Sequence, residues 1–142
     1  ETFSYDVAPQ IEGVTEVEGG TYALMSAPTG YMTQFEIAGK VLTSVIGARG
    51  NIVHIDAGFR CLGGPMGVTP VVESDIDIQF MRMEDTTSVL KSDISNRYEI
   101  GEQLYLQSSQ QDILVNRWDQ FIAVRNGLVE GVWDITARGC HH

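Results

Sequence analysis

The residue types that could do chemistry fall into four small groups. His54 and Asp56 share one side of an alternating stretch whose other side is Val53 and Ile55. A histidine beside a carboxylate can serve as a base toward a serine or threonine hydroxyl, the arrangement of acyl-transfer enzymes. No Gly-x-Ser-x-Gly turn accompanies the pair, so the nucleophile would have to come from elsewhere in the fold. Glu73, Asp75 and Asp77 alternate along a strand-like segment and would project carboxylates from one face. Such hard oxygen donors suit calcium, although the same row also describes a solvated outer face that blunts strand pairing.

Trp118 lies among Asn116, Arg117 and Asp119, an aromatic surface framed by hydrogen-bonding groups of the kind that contact sugars or proteins. The last group is the two cysteines, Cys61 in a glycine-rich loop and Cys140 near the carboxyl end. Paired, they would close a loop of about 80 residues, worth roughly 4–5 kcal/mol in the chain-entropy model, and would mark an oxidising compartment. Zinc and copper fit poorly, because His54 is the one native-looking histidine once His141 and His142 are read as a tag remnant. The run Gly63-Gly64-Pro65-Met66-Gly67 lacks the lysine and helix of a phosphate loop.

The elements that must position these groups read as strands. With 142 residues and 43% hydrophobic content, the chain suits a single domain over residues 1–140 with its own core. Period-two patterns predict strands over residues 3–7, 21–25, 31–37, 41–46, 51–57, 75–83 and 98–107, with Ile76, Ile78 and Phe80 inward and Ile100, Leu104 and Leu106 as core. Residues 58–70 read as an apolar loop folded back on the domain. Residues 86–95 offer the one plausible helix, with a strand–loop alternative because of their serine and threonine content. Asn126-Gly127 between apolar runs predicts a type I′ hairpin with Arg125 opposite Leu128, Val124 opposite Val129, Ile122 opposite Gly131 and Gln120 opposite Trp133, internal to the sheet system or pressed against another layer because both faces are apolar. Residues 1–8 form a further candidate, a terminal strand on a tether that exchanges with a neighbour.

These patterns predict an all-β, single-domain antiparallel β-sandwich or small β-barrel with at most one short helix. A net charge of −10, from 19 acidic and 9 basic residues, argues against nucleic acid and anionic membranes as partners. No apolar run reaches the length of a membrane helix. The chain starts at Glu1 without a leader-like segment, which reads as a mature chain freed of its signal peptide. The expectation is a secreted, periplasmic or cell-surface module, non-enzymatic, making protein or glycan contacts and able to form homo-oligomers. It would need no cofactor beyond a calcium ion on the acidic strand. Two alternatives stay open: a carrier of small hydrophobic ligands in a barrel cavity, and a small hydrolase using His54.

Overall fold

The computed structural model describes residues 2–64, 68–73 and 75–140. Its longest strand, β1 (Lys40–Arg49), buries Val41, Thr43 and Val45 while Leu42 faces outward, the period of two that a pleated backbone imposes. Five more strands build on it: β2 (Ile52–Ile55), β3 (Val71–Val72), β4 (Ile78–Met83), β5 (Ser88–Ser92) and β6 (Gln103–Gln107). The order is β3-β6-β1-β2-β5-β4 and every pair is antiparallel. The end strands β3 and β4 return into contact, so the sheet curls into a nearly closed barrel. The all-β prediction holds, in its barrel form. Among the described residues two short α-helices are present, α1 (Phe59–Leu62) and α2 (Gln111–Val115), where at most one was expected.

Register lines the interior. Leu106 lies opposite both Val41 and Val72, Leu104 opposite Thr43, Val45 opposite Ile55, and Leu90 opposite both Val53 and Phe80. Leu62 of α1 and Leu114 of α2 complete the core. Each fully buried Leu, Ile or Val contributes roughly 1.5–3 kcal/mol, and a one-residue slip would turn the whole set outward.

Several segments depart from the sequence reading. Residues 86–95 carry β5 rather than a helix: Ser88, Leu90 and Ser92 point inward at period two, and the buried Ser88 hydroxyl donates to the Ala57 carbonyl at 2.6 Å. Residues 3–7 do not form an exchangeable strand. Two 3-10 turns, Thr2–Ser4 and Ala8–Gln10, flank them, and the Tyr5 and Val7 amides bond locally to the Thr2 and Ser4 carbonyls. Residues 21–25 and 31–37 are likewise turns rather than strands, with 3-10 segments at Thr21–Ala23 and Ala27–Thr29. Ile76 is 91% exposed because Asp75, not Ile76, turns inward, and the Asp77 amide donates to Asp75 Oδ1 at 3.0 Å to hold that turn. Ile100 is exposed beside Gly101, whose φ of 92° belongs to a turn and not to a bulge in a strand.

Loop 58–70 folds back as expected, through α1 and the buried Leu62, although Met66 lies outside the described residues. Gly58 sets its entry. A Cβ there would sit 2.5 Å from the Glu84 carbonyl oxygen and 2.6 Å from the Thr87 amide nitrogen.

The hairpin β7 (Gln120–Arg125) and β8 (Leu128–Asp134) forms a second, two-stranded sheet. Asn126 and Gly127 have φ of 52° and 76°, the type I′ geometry. Arg125 faces Leu128 and Val124 faces Val129 as predicted, but an irregularity between Ala123 and Val124 shifts the rest, so Phe121 faces Trp133. The hairpin is not internal: Ile122, Val124, Leu128, Val129, Val132 and Trp133 are all exposed.

Candidate functional site

The polar residues gather in three places. The first is an open pocket of about 420 Å³ between α2 and the C-terminal segment, lined by Asp112, Asn116, Arg117, Arg138 and Cys140 among others. Local bonds build it. The Gly139 amide donates to Asn116 Oδ1 at 2.9 Å, and Arg138 pairs with Asp119 at 3.0 Å. The Ile135 amide donates to the Asp119 carbonyl at 2.8 Å, so the chain after β8 is laid across the end of α2. Of the four residues in the predicted Trp118 cluster, Asn116 and Arg117 line this pocket. Asp119 orients Arg138, and the Trp118 indole is turned to α1, where its Nε1 donates to the Cys61 carbonyl at 2.9 Å.

The second place is the barrel seam between β3 and β4. Asp75 is buried there, accepts the Tyr98 hydroxyl proton, and pairs with Arg97 Nε at 3.0 Å. The Arg97 guanidinium stands 5.7 Å from the Tyr98 ring centre. Burial pushes the Tyr98 phenol far above its ordinary value, and the neighbouring Asp75 carboxylate adds to the shift. This cluster fastens the seam. Its members lie too far apart in sequence for a local pattern to join them, which is why the reading of residues missed Tyr98 and Arg97.

The third place is the β1–β2 edge. Asp56 Oδ1 accepts the Thr43 hydroxyl at 2.6 Å and the Ser44 amide at 2.8 Å. Burial works against the Asp56 charge, but the Ser44 amide, the Thr43 hydroxyl and the backbone amide of Asp56 itself together hold the carboxyl below its ordinary 3.8. Asp56 is therefore committed to β1 and not to His54, which stays exposed on the outer face of β2 and whose imidazole makes no hydrogen bond among the described residues. The His54–Asp56 catalytic pair is not assembled.

The remaining predicted sites are corrected in the same way. Glu73 pairs with Lys40 while Asp75 turns inward, so the row Glu73, Asp75 and Asp77 does not converge. Among the described residues no group of three or more His, Cys, Asp or Glu side chains could hold a metal ion, calcium included. Cys61 and Cys140 are both free. The Cys61 thiol donates to the Gly58 carbonyl at 3.3 Å within its own helical turn, and burial raises its pKa. Cys140 is exposed at the pocket beyond α2. With no bond between them, the argument for an oxidising, secreted setting loses its basis. No helix among the described residues is long and apolar enough to cross a membrane.

No family model matches the chain. It is 30% identical over 135 residues to the 3-hydroxy-D-aspartate aldolase of Paracoccus denitrificans, covering 87% of this chain and 34% of that protein. To the D-threonine aldolase of an Arthrobacter species it is 28% identical, over 88% of this chain and 35% of the relative. The crystal structure of the D-threonine aldolase from Filomicrobium marinum superposes with a TM-score of 0.84 at 29% identity, over 92% of this chain and 37% of that one. The chain thus spans about a third of the length of the curated relatives it matches.

These likenesses overturn the expectation of a non-enzymatic binding module, and with it the ligand-carrier and hydrolase alternatives. They point to an enzyme. They also overturn the expectation of no cofactor, since aldolases of the D-threonine and hydroxyaspartate types depend on pyridoxal phosphate. Pyridoxal phosphate is held through a lysine amine. Here Lys40 is bound to Glu73 on the edge of β1 and Lys91 is exposed on β5, and neither lines a pocket among the described residues. These residues do not fit the group, so no step is derived through it.

Proposed function

We propose that this chain is the barrel portion of an aldolase that cleaves the carbon–carbon bond of a 3-hydroxy amino acid, with the cofactor lysine supplied by protein outside these 142 residues. The observation that carries the reading is the superposition on D-threonine aldolase over nearly the whole chain at 29% identity. The hairpin β7–β8 supports it. Four large apolar side chains, Ile122, Val124, Val129 and Val132, are exposed together on one face of this two-stranded sheet, more than a free-standing domain leaves to water, and fit a face that another protein layer covers. The occupant in this reading is the remaining two-thirds of such an enzyme.

A chimera tests it. This chain replaces the matching part of the Filomicrobium marinum D-threonine aldolase, and the product is assayed for glycine release from D-threonine and from 3-hydroxy-D-aspartate. The expected result is a folded, pyridoxal-phosphate-loaded protein that releases glycine from at least one of them. A loaded chimera that releases none from either sinks the reading.

A further inference from the structure

We propose that the pocket between α2 and the C-terminal segment is a carboxylate-binding site, with Arg117 as its recognising charge. Six of the nine basic residues are already paired: Lys40, Arg60, Arg82, Arg97, Arg125 and Arg138 each meet an acidic partner. Arg117 meets no carboxylate among the described residues, in a chain whose acids outnumber its bases 19 to 9. It stands at a concave surface of about 420 Å³, within the size range of small-molecule sites.

The frame around it is fixed. Asp119 holds Arg138 at 3.0 Å, and Asn116 is tied to the Gly139 amide at 2.9 Å, so two polar side chains flank Arg117 in set positions. Ile113 and Ile135 supply an apolar wall that lowers the local dielectric and strengthens a charge-assisted bond. At the entrance to α2, Ser108 Oγ and Gln111 Oε1 are buried with no hydrogen-bond partner among the described residues, in keeping with a segment shaped by more than its own packing.

The charge balance leaves one anion-binding position. Two guanidiniums, one of them neutralised by Asp119, line the pocket together with the Asp112 carboxylate. The one unpaired planar fork matches one carboxylate in bidentate fashion. The class of ligand is a short dicarboxylate, whose second carboxylate reaches Arg117. That choice rests on the aldolase reading, in which a hydroxyaspartate-like substrate carries a distal carboxylate and D-threonine does not; the anion site itself rests on geometry alone.

The 142-residue chain, titrated with succinate and followed by amide NMR, is expected to show saturable shifts confined to residues 112–117 and 135–140. Arg117→Gln is expected to weaken this about tenfold, and Arg117→Lys, which keeps the charge but loses the fork, by less. Both variants are checked for an unchanged spectrum elsewhere, so loss of fold is not mistaken for loss of binding. Absence of saturation, equal binding by Arg117→Gln, or tighter binding of inorganic phosphate than of succinate overturns the site. Its failure is separable from that of the aldolase reading: an active chimera with no succinate binding removes only the site, and an inactive one that binds succinate removes only the activity.

Discussion

The indole Nε1 of Trp118 donates to the carbonyl oxygen of Cys61 at 2.9 Å, joining the end of α2 to α1 across the region that a disulfide was expected to staple. The segment around Cys61 is thus tied toward the C-terminal part of the chain by a hydrogen bond to its backbone, while its sulfur stays reduced. Trp118→Phe keeps an aromatic, though smaller, ring but deletes the donor, leaving the carbonyl to water because the site is partly exposed. The expected loss is about 1 kcal/mol in a urea unfolding curve, with faster amide exchange in α1.

The free thiols give a second prediction. Alkylation of the native protein without reductant should add two labels, Cys140 first. Cys61 should follow slowly, because burial raises its pKa and so lowers the reactive thiolate fraction, and it should catch up once the protein is unfolded. Peptide mapping of the labels checks the order. An unlabelled native protein that reacts only after reduction would restore the disulfide.

Gly58→Ala should be among the most damaging single changes. The added methyl meets the Glu84 carbonyl and the Thr87 amide at 2.5 and 2.6 Å, both backbone atoms that cannot rotate away. Those atoms belong to the connection between β4 and β5, where the Phe59 amide also donates to Glu84 at 2.8 Å. The expected cost is about 1–3 kcal/mol or more, read as a lowered denaturation midpoint with an unchanged slope.

The seam cluster predicts a loss of stability at alkaline pH. The Tyr98 phenol is raised in the folded state, by burial first and then by Asp75, so the folded protein keeps a proton that the unfolded chain releases. Its contribution is intact below the ordinary tyrosine value of 10.0 and falls away as pH rises above it. Tyr98→Phe should lower stability at neutral pH by about 1 kcal/mol through the lost bond, and should also flatten the alkaline decline. Unfolding curves recorded across the pH range separate the two effects.

Asp56 predicts the opposite limb. Its carboxyl is held below 3.8 because, against burial, the donors from Ser44, Thr43 and its own backbone together lower it, so its contribution is intact above that value and is lost as pH falls through the lower folded pKa. Asp56→Asn should leave less of the acid-induced decline than the parent shows, and acid unfolding followed by circular dichroism measures it.

Much of the barrel was legible because its signals are local. The alternation in β2 and the Asn126-Gly127 turn each depend on neighbours within a few positions, and each was read with the correct facing or turn type. Ile76 was misread because its alternation continues that of Ile78, and only the remote Tyr98 and Arg97 explain why Asp75 turns inward instead. The helix expected at residues 86–95 failed for a related reason: β2 and β4 on either side decide the conformation of a segment with weak preference of its own. In the pocket, Asn116 and Arg117 stood out by type, whereas Arg138 did not, since the Gly139–Asn116 bond that brings it there is invisible in sequence. The enzymatic character was not legible at all. No lysine motif or catalytic constellation announces it within the chain, and it emerges from the likeness of the whole fold.

The order of the barrel strands also sets a timetable for synthesis. Strands β1, β2, β5 and β4 are complete once residue 92 has been made, and they can pair with one another as a four-stranded antiparallel sheet. The other edge of β1 has to wait for β6, which begins only at Gln103, and β3 has no partner in the sheet until β6 arrives. A nascent chain therefore carries β1 with its inward Val41 and outward Leu42 unpaired for the length of the β5–β6 connection. Pairing at such long sequence separation is slow and leaves a sticky edge open to other chains in the meantime. Within the barrel sheet the ladders on β6 are the last whose strands are made, and crowded synthesis is where they are most vulnerable.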